Sequence, residues 1–401
     1  MKDELNQGSM NLRSLKSQIQ KASDHEKSTT NAFSFDGFSE HKGRGIQLGQ
    51  LWISGEKSSK TSETKVTNQQ SEVQGDANPL FVSVIIPTFN RAQMIGITLQ
   101  SFIDQNYPSQ CFEIIVVDNN SKDDTPAVIT SFEKNGKVNI RYVFEERQGV
   151  HFARNKAAHL AQGEILYFTD DDMIADPSLL SEILKPFLMD PSVGVATGRV
   201  FPKWEVEPPS WILSQCQNYL LSLSDKGSGI RIENRDVGVF SCHQAIRKEA
   251  FFATEGFHPE NTAGEWIGDG ETGLCITLLE KGWKFAYNGE SITHHMIPPS
   301  RLTQDYLNKR LANQGNCDSY TEYRKYRWSD VQIPERAKIY QSEIQKSLTQ
   351  YQVYKMSQDE RWHKEFARVH YWMARLEYDF RIVQDPDWKA LVLKNDWLLN
   401  P

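Results

Sequence analysis

No apolar run in this 401-residue chain approaches the ~20 residues that a bilayer span requires. Met1 to Gln20 also lacks the apolar core of a secretory leader, so the chain is expected to stay in the cytoplasm. Cysteine is scarce: five residues, odd in number and without CxxC spacing, which points to reduced thiols and away from a zinc site. Positive charge is not in excess either. Against 45 Lys and Arg stand 52 Asp and Glu, a formal net charge of −7, and a nucleic-acid partner would need a basic face. What is present is ordinary soluble composition, 39% hydrophobic and 24% charged, in a chain long enough for two or three domains.

Residues 1–78 are rich in Ser, Lys, Gln, Asn, Glu and Thr and poor in aliphatic side chains. Such a segment cannot offset its ordering entropy by burial, so a disordered tail is expected, with Phe33 to Ile53 as a short docked stretch inside it. Order is expected from Phe81. Val82-Ser83-Val84-Ile85-Ile86 reads as a buried strand, and helical spacing follows from Ala92 to Gln105. Strands at 112–117, 138–144 and 165–168 then alternate with helices at 123–134 and 151–161. That rhythm implies right-handed βαβ crossovers and a mostly parallel, Rossmann-like α/β sheet covered on both faces. Further on, 201–232 reads as an irregular substrate-side loop, 264–280 as a Gly and acid loop entering a helix, and 283–287 as a last short strand followed by His294 and His295.

The strand at Ile165 to Phe168 ends in Asp170, Asp171 and Asp172. Three adjacent carboxylates repel one another, so a fold keeps them by sharing a cation or by solvating the whole face. Ligand sites of open α/β sheets lie just beyond the carboxyl ends of strands, which is where these acids stand.

The last hundred residues change character. Trp362, Phe366, Val369, Met373, Leu376, Phe380 and Val383 recur at steps of four and three, a narrow apolar seam on one helix. Three uses fit it: packing on the preceding domain, a homo-oligomer through 361–383, or peripheral contact with a membrane. The polar face mixes Arg361, Lys364, Arg368 and Arg375 with Glu365, Glu377 and Asp379, whereas a membrane-binding helix is more one-sidedly basic.

Four motifs recur together in order: Val84-Ile85-Ile86-Pro87-Thr88-Phe89-Asn90-Arg91, Ile115-Val116-Val117-Asp118-Asn119-Asn120-Ser121, Gly149 with Ala153-Arg154-Asn155, and Thr169-Asp170-Asp171-Asp172. As an ordered set, over roughly residues 81 to 300, they resemble family 2 glycosyltransferases. The resemblance implies a GT-A domain at 79–300, followed here by a helical, aromatic-rich region at 301–401. It implies a nucleotide-sugar donor and a divalent cation, Mn²⁺ or Mg²⁺. Asp118 ends a strand where a carboxylate can accept from a base N–H, or simply cap the turn into Ser121. Pro87, Thr88, Asn90 and Arg91, with Asn120 on the neighbouring strand end, are expected beside base and phosphate, and Arg154 beside the diphosphate unless it forms a surface ion pair. Asp170 and Asp171 are expected at the ribose and metal shell, and Asp172 directly on the metal, with His294 as a further ligand. Trp204, Trp211 and Trp266 flank the expected acceptor side, where they stack on sugar or sit in the core.

The family's later acidic motif supplies the base. Here the text departs from the usual Glu-Asp: Gly268-Asp269-Gly270-Glu271-Thr272-Gly273-Leu274. Matching Leu274 to the motif's closing leucine puts Glu271 in the base position, with Asp269 the alternative. The resemblance thus implies an inverting enzyme that moves a hexosyl or N-acetylhexosaminyl group to a hydroxyl on a glycan or lipid-linked glycan. Two rivals remain: a non-catalytic nucleotide-sugar-binding scaffold, and a sugar nucleotidyltransferase, which would need an early Gly-rich phosphate loop where Pro87 to Arg91 stands.

Overall fold

The computed structural model describes Ser17 and residues 79–398, apart from 135, 216–219, 263–264 and 330. The expected disordered tail and its Phe33 to Ile53 segment lie, Ser17 aside, outside the described residues. Strand β1 (Val82–Thr88) is buried along its whole length. Its alternate residues feed two cores. Val82, Val84 and Ile86 pack with Ile95, Leu99 and Phe102 of α1 (Ile95–Ile103), while Ile85 packs with Ala153, Ala157 and Ala158 of α3 (Val150–Leu160). Burial on both faces is why the strand reads as a continuous apolar run instead of an alternation.

Strands β2 (Phe112–Asp118), β3 (Asn139–Phe144) and β4 (Ile165–Thr169) complete a parallel half-sheet in the order β3-β2-β1-β4, with α2 (Thr125–Glu133) crossing between β2 and β3. The second half is mixed. It contains β5 (Met173–Ala175), β6 (Val193–Trp204), β7 (Ile230–Glu233), β8 (His243–Arg247) and β11 (Lys284–Ile297), with α4 (Leu179–Met189) packed on it. Strand β8 runs antiparallel to both β4 and β6, and β6 and β11 are parallel. The result is an α/β domain whose sheet is parallel in its first half and mixed in its second. Shorter elements complete it: α5 (Ser210–Gln215), α6 (Lys248–Phe252), a hairpin of β9 (Asn261–Thr262) and β10 (Glu265–Trp266), and α7 (Gly270–Glu280).

Strand β11 is far longer than the sequence suggests, and His294 and His295 lie within it. Its pairing with β6 breaks register between Asn288 and Ile292, an irregularity that resets which residues face the core. Gly198 of β6 lies opposite this break, where an added Cβ would collide with the Ser291 carbonyl oxygen. Gly198→Ala should therefore destabilise the fold by ~1–3 kcal/mol through overpacking against backbone. Urea denaturation measures this, and an unchanged midpoint would show that the break absorbs a methyl group.

Beyond β11 come α8 (Gln304–Tyr326), α9 (Gln332–Met356), α10 (Trp362–Gln384) and α11 (Pro386–Val392). The seam lies on α10, and Phe366, Val369, Met373, Leu376 and Phe380 are buried, with α10 packed on both α8 and α9. The seam is thus occupied within the chain. The supposed polar face is not wholly solvated either, because Arg375 and Asp379 are buried. Arg375 Nη2 and Arg336 Nη2 both donate to Glu322 Oε2 at 2.6 Å, and Arg336 Nε donates to Asp379 at 3.2 Å. Facing helices supply the countercharges that water would otherwise provide. Among the described residues no helix is long and apolar enough to cross a membrane.

Candidate active site

Parallel pairing sets the carboxyl ends of β1, β2 and β4 side by side, with Thr88 opposite Asp118. The loops after β1 and β2 are laced together. The Asn90 amide donates to Ser121 Oγ at 2.9 Å, Asn90 Oδ1 accepts from the Lys122 amide at 2.8 Å, and the Arg91 amide donates to Thr125 Oγ1 at 2.8 Å. Asn90 and Asn120 have φ of 53° and 71°, the left-handed region that Asn tolerates better than most side chains. Both shape turns. Asp118 is buried and accepts from the Ser121 amide and from the Tyr142 hydroxyl, each at 2.9 Å. The turn-capping role is real, and a free lone pair remains on each oxygen. Burial, then the Asp118 carboxylate, push the Tyr142 hydroxyl up to about 12.

The three adjacent acids point to three places. Asp170 is the most exposed, and Arg154 Nη2 donates to it at 2.5 Å. Arg154 lies in the second turn of α3, is itself buried, and has its Nε without a partner. Asp171 turns inward, accepts from Thr88 Oγ1 at 2.7 Å and lies 3.6 Å from Arg91 Nε. Burial and the neighbouring Asp172 raise its carboxyl above the usual range. Asp172 is buried too, which by itself would raise it, but the His295 ring and the Arg301 guanidinium hold it well below.

His295, and not His294, faces Asp172. Successive strand residues point to opposite faces, so His294 lies against the Phe201 ring (centroids 5.9 Å apart) while His295 Nε2 stands 3.6 Å from Asp172 Oδ2. His295 Nδ1 donates to the Leu221 carbonyl at 2.7 Å, which leaves the Nε2 lone pair aimed at the acid. Arg301 Nη2 donates to Asp172 Oδ2 at 2.7 Å, and its Nη1 reaches His295 Nε2. Asp172 Oδ1 is buried without a partner. The orphaned carboxylate oxygen, beside an imidazole nitrogen whose lone pair Arg301 occupies, fits a divalent cation that takes the place of the guanidinium.

On the other side of Arg154 lies the start of α7. Asp269 is buried just before it, accepts from Thr321 Oγ1 of α8 at 2.6 Å and stands 3.8 Å from His258 Nδ1. Its carboxyl is raised, chiefly by burial. Glu271 instead joins His151 and Glu260, one polar atom from each lying within 4.8 Å of the others. His151 Nδ1 faces the Glu260 amide at 3.2 Å and its Nε2 faces the Arg154 guanidinium; both neighbours are donors, and a neutral imidazole offers one lone pair between them. Arg154 Nη1 lies 3.3 Å from that Nε2, so a single guanidinium spans Asp170 and the Glu271 cluster.

His151, Glu260, His295 and Arg301 were missed in the sequence. His151 stands two residues after Gly149, inside a motif already singled out, and His295 stands beside the chosen His294, but Glu260 and Arg301 carry no local signal. Of the three tryptophans, Trp211 is buried and stacked on His363 at 4.1 Å, a core role. Trp204 is partly buried against the same cluster, and Trp266 lies in β10.

Residues 83–253 match the family described as Glycosyl transferase family 2. Members of the family are enzymes that transfer glycosyl groups. Among curated relatives, the glucosyl-dolichyl phosphate glucuronosyltransferase of Haloferax volcanii is 22% identical over 239 residues, 58% of this chain and 75% of that protein. The chondroitin synthase of Pasteurella multocida is 26% identical over 248 residues, 55% of this chain but only 25% of its own length. A solved mannosyltransferase from Pyrobaculum calidifontis, in complex with GDP-Man and Mn²⁺, is 17% identical, with 80% of this chain and 86% of that one covered at a TM-score of 0.47.

Proposed function

We propose that the protein is an inverting, cation-dependent glycosyltransferase that moves one sugar from a nucleoside-diphosphate donor, a UDP-sugar first among those to test, to a hydroxyl on a glycan or lipid-linked glycan. The observation that carries this reading is the convergence on one sheet edge of Asp118, the Arg154–Asp170 pair and the Asp172–His295 pair, with Glu271 just across Arg154. Asp118, fixed by Ser121 and Tyr142, suits a base N–H. Arg154, with an orphaned Nε, suits a phosphate oxygen. Asp172 and His295 would hold the cation, which when bound supplies charge to offset that of the departing diphosphate. The acceptor oxygen attacks the anomeric carbon from the face opposite the leaving group. As that bond forms, the bond from the anomeric carbon to the phosphate oxygen breaks, and the hydroxyl proton passes to Glu271. Relatives named for a glucosyl-dolichyl phosphate and for chondroitin motivate the acceptor class, with polysaccharide or glycoconjugate assembly as the setting. A lipid-linked acceptor would bring the enzyme to the inner face of the plasma membrane.

Thermal shift against UDP-, GDP- and dTDP-sugars, with and without Mn²⁺, tests the donor and metal together. One donor should raise the melting temperature, and more so with Mn²⁺. His295→Ala should remove the Mn²⁺-dependent part and His294→Ala should keep it, because only His295 stands beside Asp172. The reverse pattern would move the cation off this pair. A donor that binds without any turnover would favour the scaffold.

A further inference from the structure

Glu260 is a half-buried carboxyl that none of the steps above uses, and it lies beside the one they depend on. It is held from several sides. Its amide is bonded to His151 Nδ1, its carbonyl accepts from the Ile267 amide at 2.7 Å, and Cys317 Sγ lies 3.7 Å from its Oε1. The start of α7 presses against it: Gly270 has φ of 51°, and an added Cβ there would lie 2.8 Å from the His151 ring and 3.0 Å from Glu260 Cδ. Only a residue without a side chain lets the next one, Glu271, come so near. Two carboxyls held this close do not both ionise readily, and one keeps a proton.

We propose that Glu260 is a positioning residue for Glu271: it is the member of the pair that keeps the proton, and as a neutral acid it orients the ionised Glu271 toward the acceptor hydroxyl. This rests on the reading of Glu271 as the base. The groups facing Glu260 are His151 and Arg154 from α3, Glu271 and the preceding Asp269 from α7, and Arg310 and Cys317 from α8. Burial first, and Glu271 second, push the Glu260 carboxyl up to about 8, with Arg310 and Arg154 opposing. Glu260 therefore enters the reaction neutral and leaves it neutral. The acceptor proton goes to Glu271, and the sugar–phosphate bond breaks as the new C–O bond forms. Above about pH 8 Glu260 ionises, its proton no longer orients the neighbour, and the two carboxylates repel.

The test is the pH profile of kcat in the full-length protein at saturating donor and acceptor. The wild type should decline above about pH 8, the range in which Glu260 loses its proton. E260Q keeps a neutral donor that cannot ionise, so it should lack that decline. At pH 7 it should exceed E260A by about tenfold, the worth of one hydrogen bond to a charged group, with donor KM similar in both. Stability gives a second reading. A carboxyl raised in the folded state costs stability as pH climbs from its ordinary range to its folded value, so the melting temperature of E260Q should gain on that of the wild type between about pH 5 and 8. An E260Q profile with the wild-type alkaline decline would overturn the proposal, as would E260Q activity no better than that of E260A. E271Q separates the premise: if E271Q keeps most of the transfer, the base is elsewhere. If E271Q is inactive while E260Q retains the decline, only the role of Glu260 fails.

Discussion

Glu271→Gln loses ~10² to 10⁴ in transfer rate, the usual worth of general-base assistance, while donor affinity moves little. A sugar hydroxyl is a very weak acid, so a carboxylate takes its proton only as the new bond forms. Gln keeps the shape and the hydrogen-bonding atoms but not the basic site. Donor binding relies on Asp118, Arg154 and the Asp172–His295 pair, which belong to other elements. Asp269→Asn should be milder for transfer, because its carboxyl is directed at Thr321 and His258 between α7 and α8. Transfer assays with labelled donor, alongside donor titration, measure both quantities. If Asp269→Asn abolishes transfer and Glu271→Gln leaves most of it, the base is Asp269.

Asp172→Asn should abolish the Mn²⁺-dependent stabilisation by donor and also weaken the metal-free protein. From the sequence, relief of repulsion within the triplet would leave the metal-free variant as stable or more so. The structure reverses that expectation. Asp172 is a buried acid with its own countercharge, and its loss leaves the half-buried Arg301 without its 2.7 Å partner. Removing a hydrogen bond to a charged group costs ~1.5–3 kcal/mol. Relief belongs instead to Asp171, whose buried carboxyl has Thr88 at hydrogen-bond distance and Arg91 only at 3.6 Å. Asp171→Asn should therefore hold or raise stability at pH 8 under the same conditions. Denaturant titrations with chelator present compare the two. Equal losses in both variants would mean that Arg301 adds nothing to stability.

Much of the architecture was legible in the sequence, for a physical reason. A strand buried on both faces is apolar along most of its length, so the runs at 82–86, 112–117 and 165–168 announced themselves and fell within observed strands. The helices between them show a 3.6-residue period because one side faces that sheet. The acids at strand ends follow from the same logic, since side chains at the carboxyl edge of a parallel sheet are where a ligand can meet them. Mixed topology in the second half was not legible, because β8 carries no mark of its direction. The length of β11 was hidden by the polar residues at its register break.

The identities of Asp118, Arg154, Asp170, Asp172 and Glu271 as candidates came from local text, but their relations did not. Three adjacent aspartates diverge because consecutive residues leaving a strand point in different directions, and two of them find partners far away in the chain. Asp172 meets Arg301 across 129 residues, and Asp171 meets Thr88 across 83. The choice of His295 over His294 depends on the phase of a strand reset by a break three residues earlier. The proximity of Glu260 to Glu271 depends on a left-handed glycine between them. Sequence specified which chemical groups stand at the sheet edge, because burial and hydrogen bonding act on neighbours in the chain. Only the tertiary structure decided which group is charged, which is neutral and which is aimed at the substrate, because those depend on desolvation and on partners that folding alone brings near.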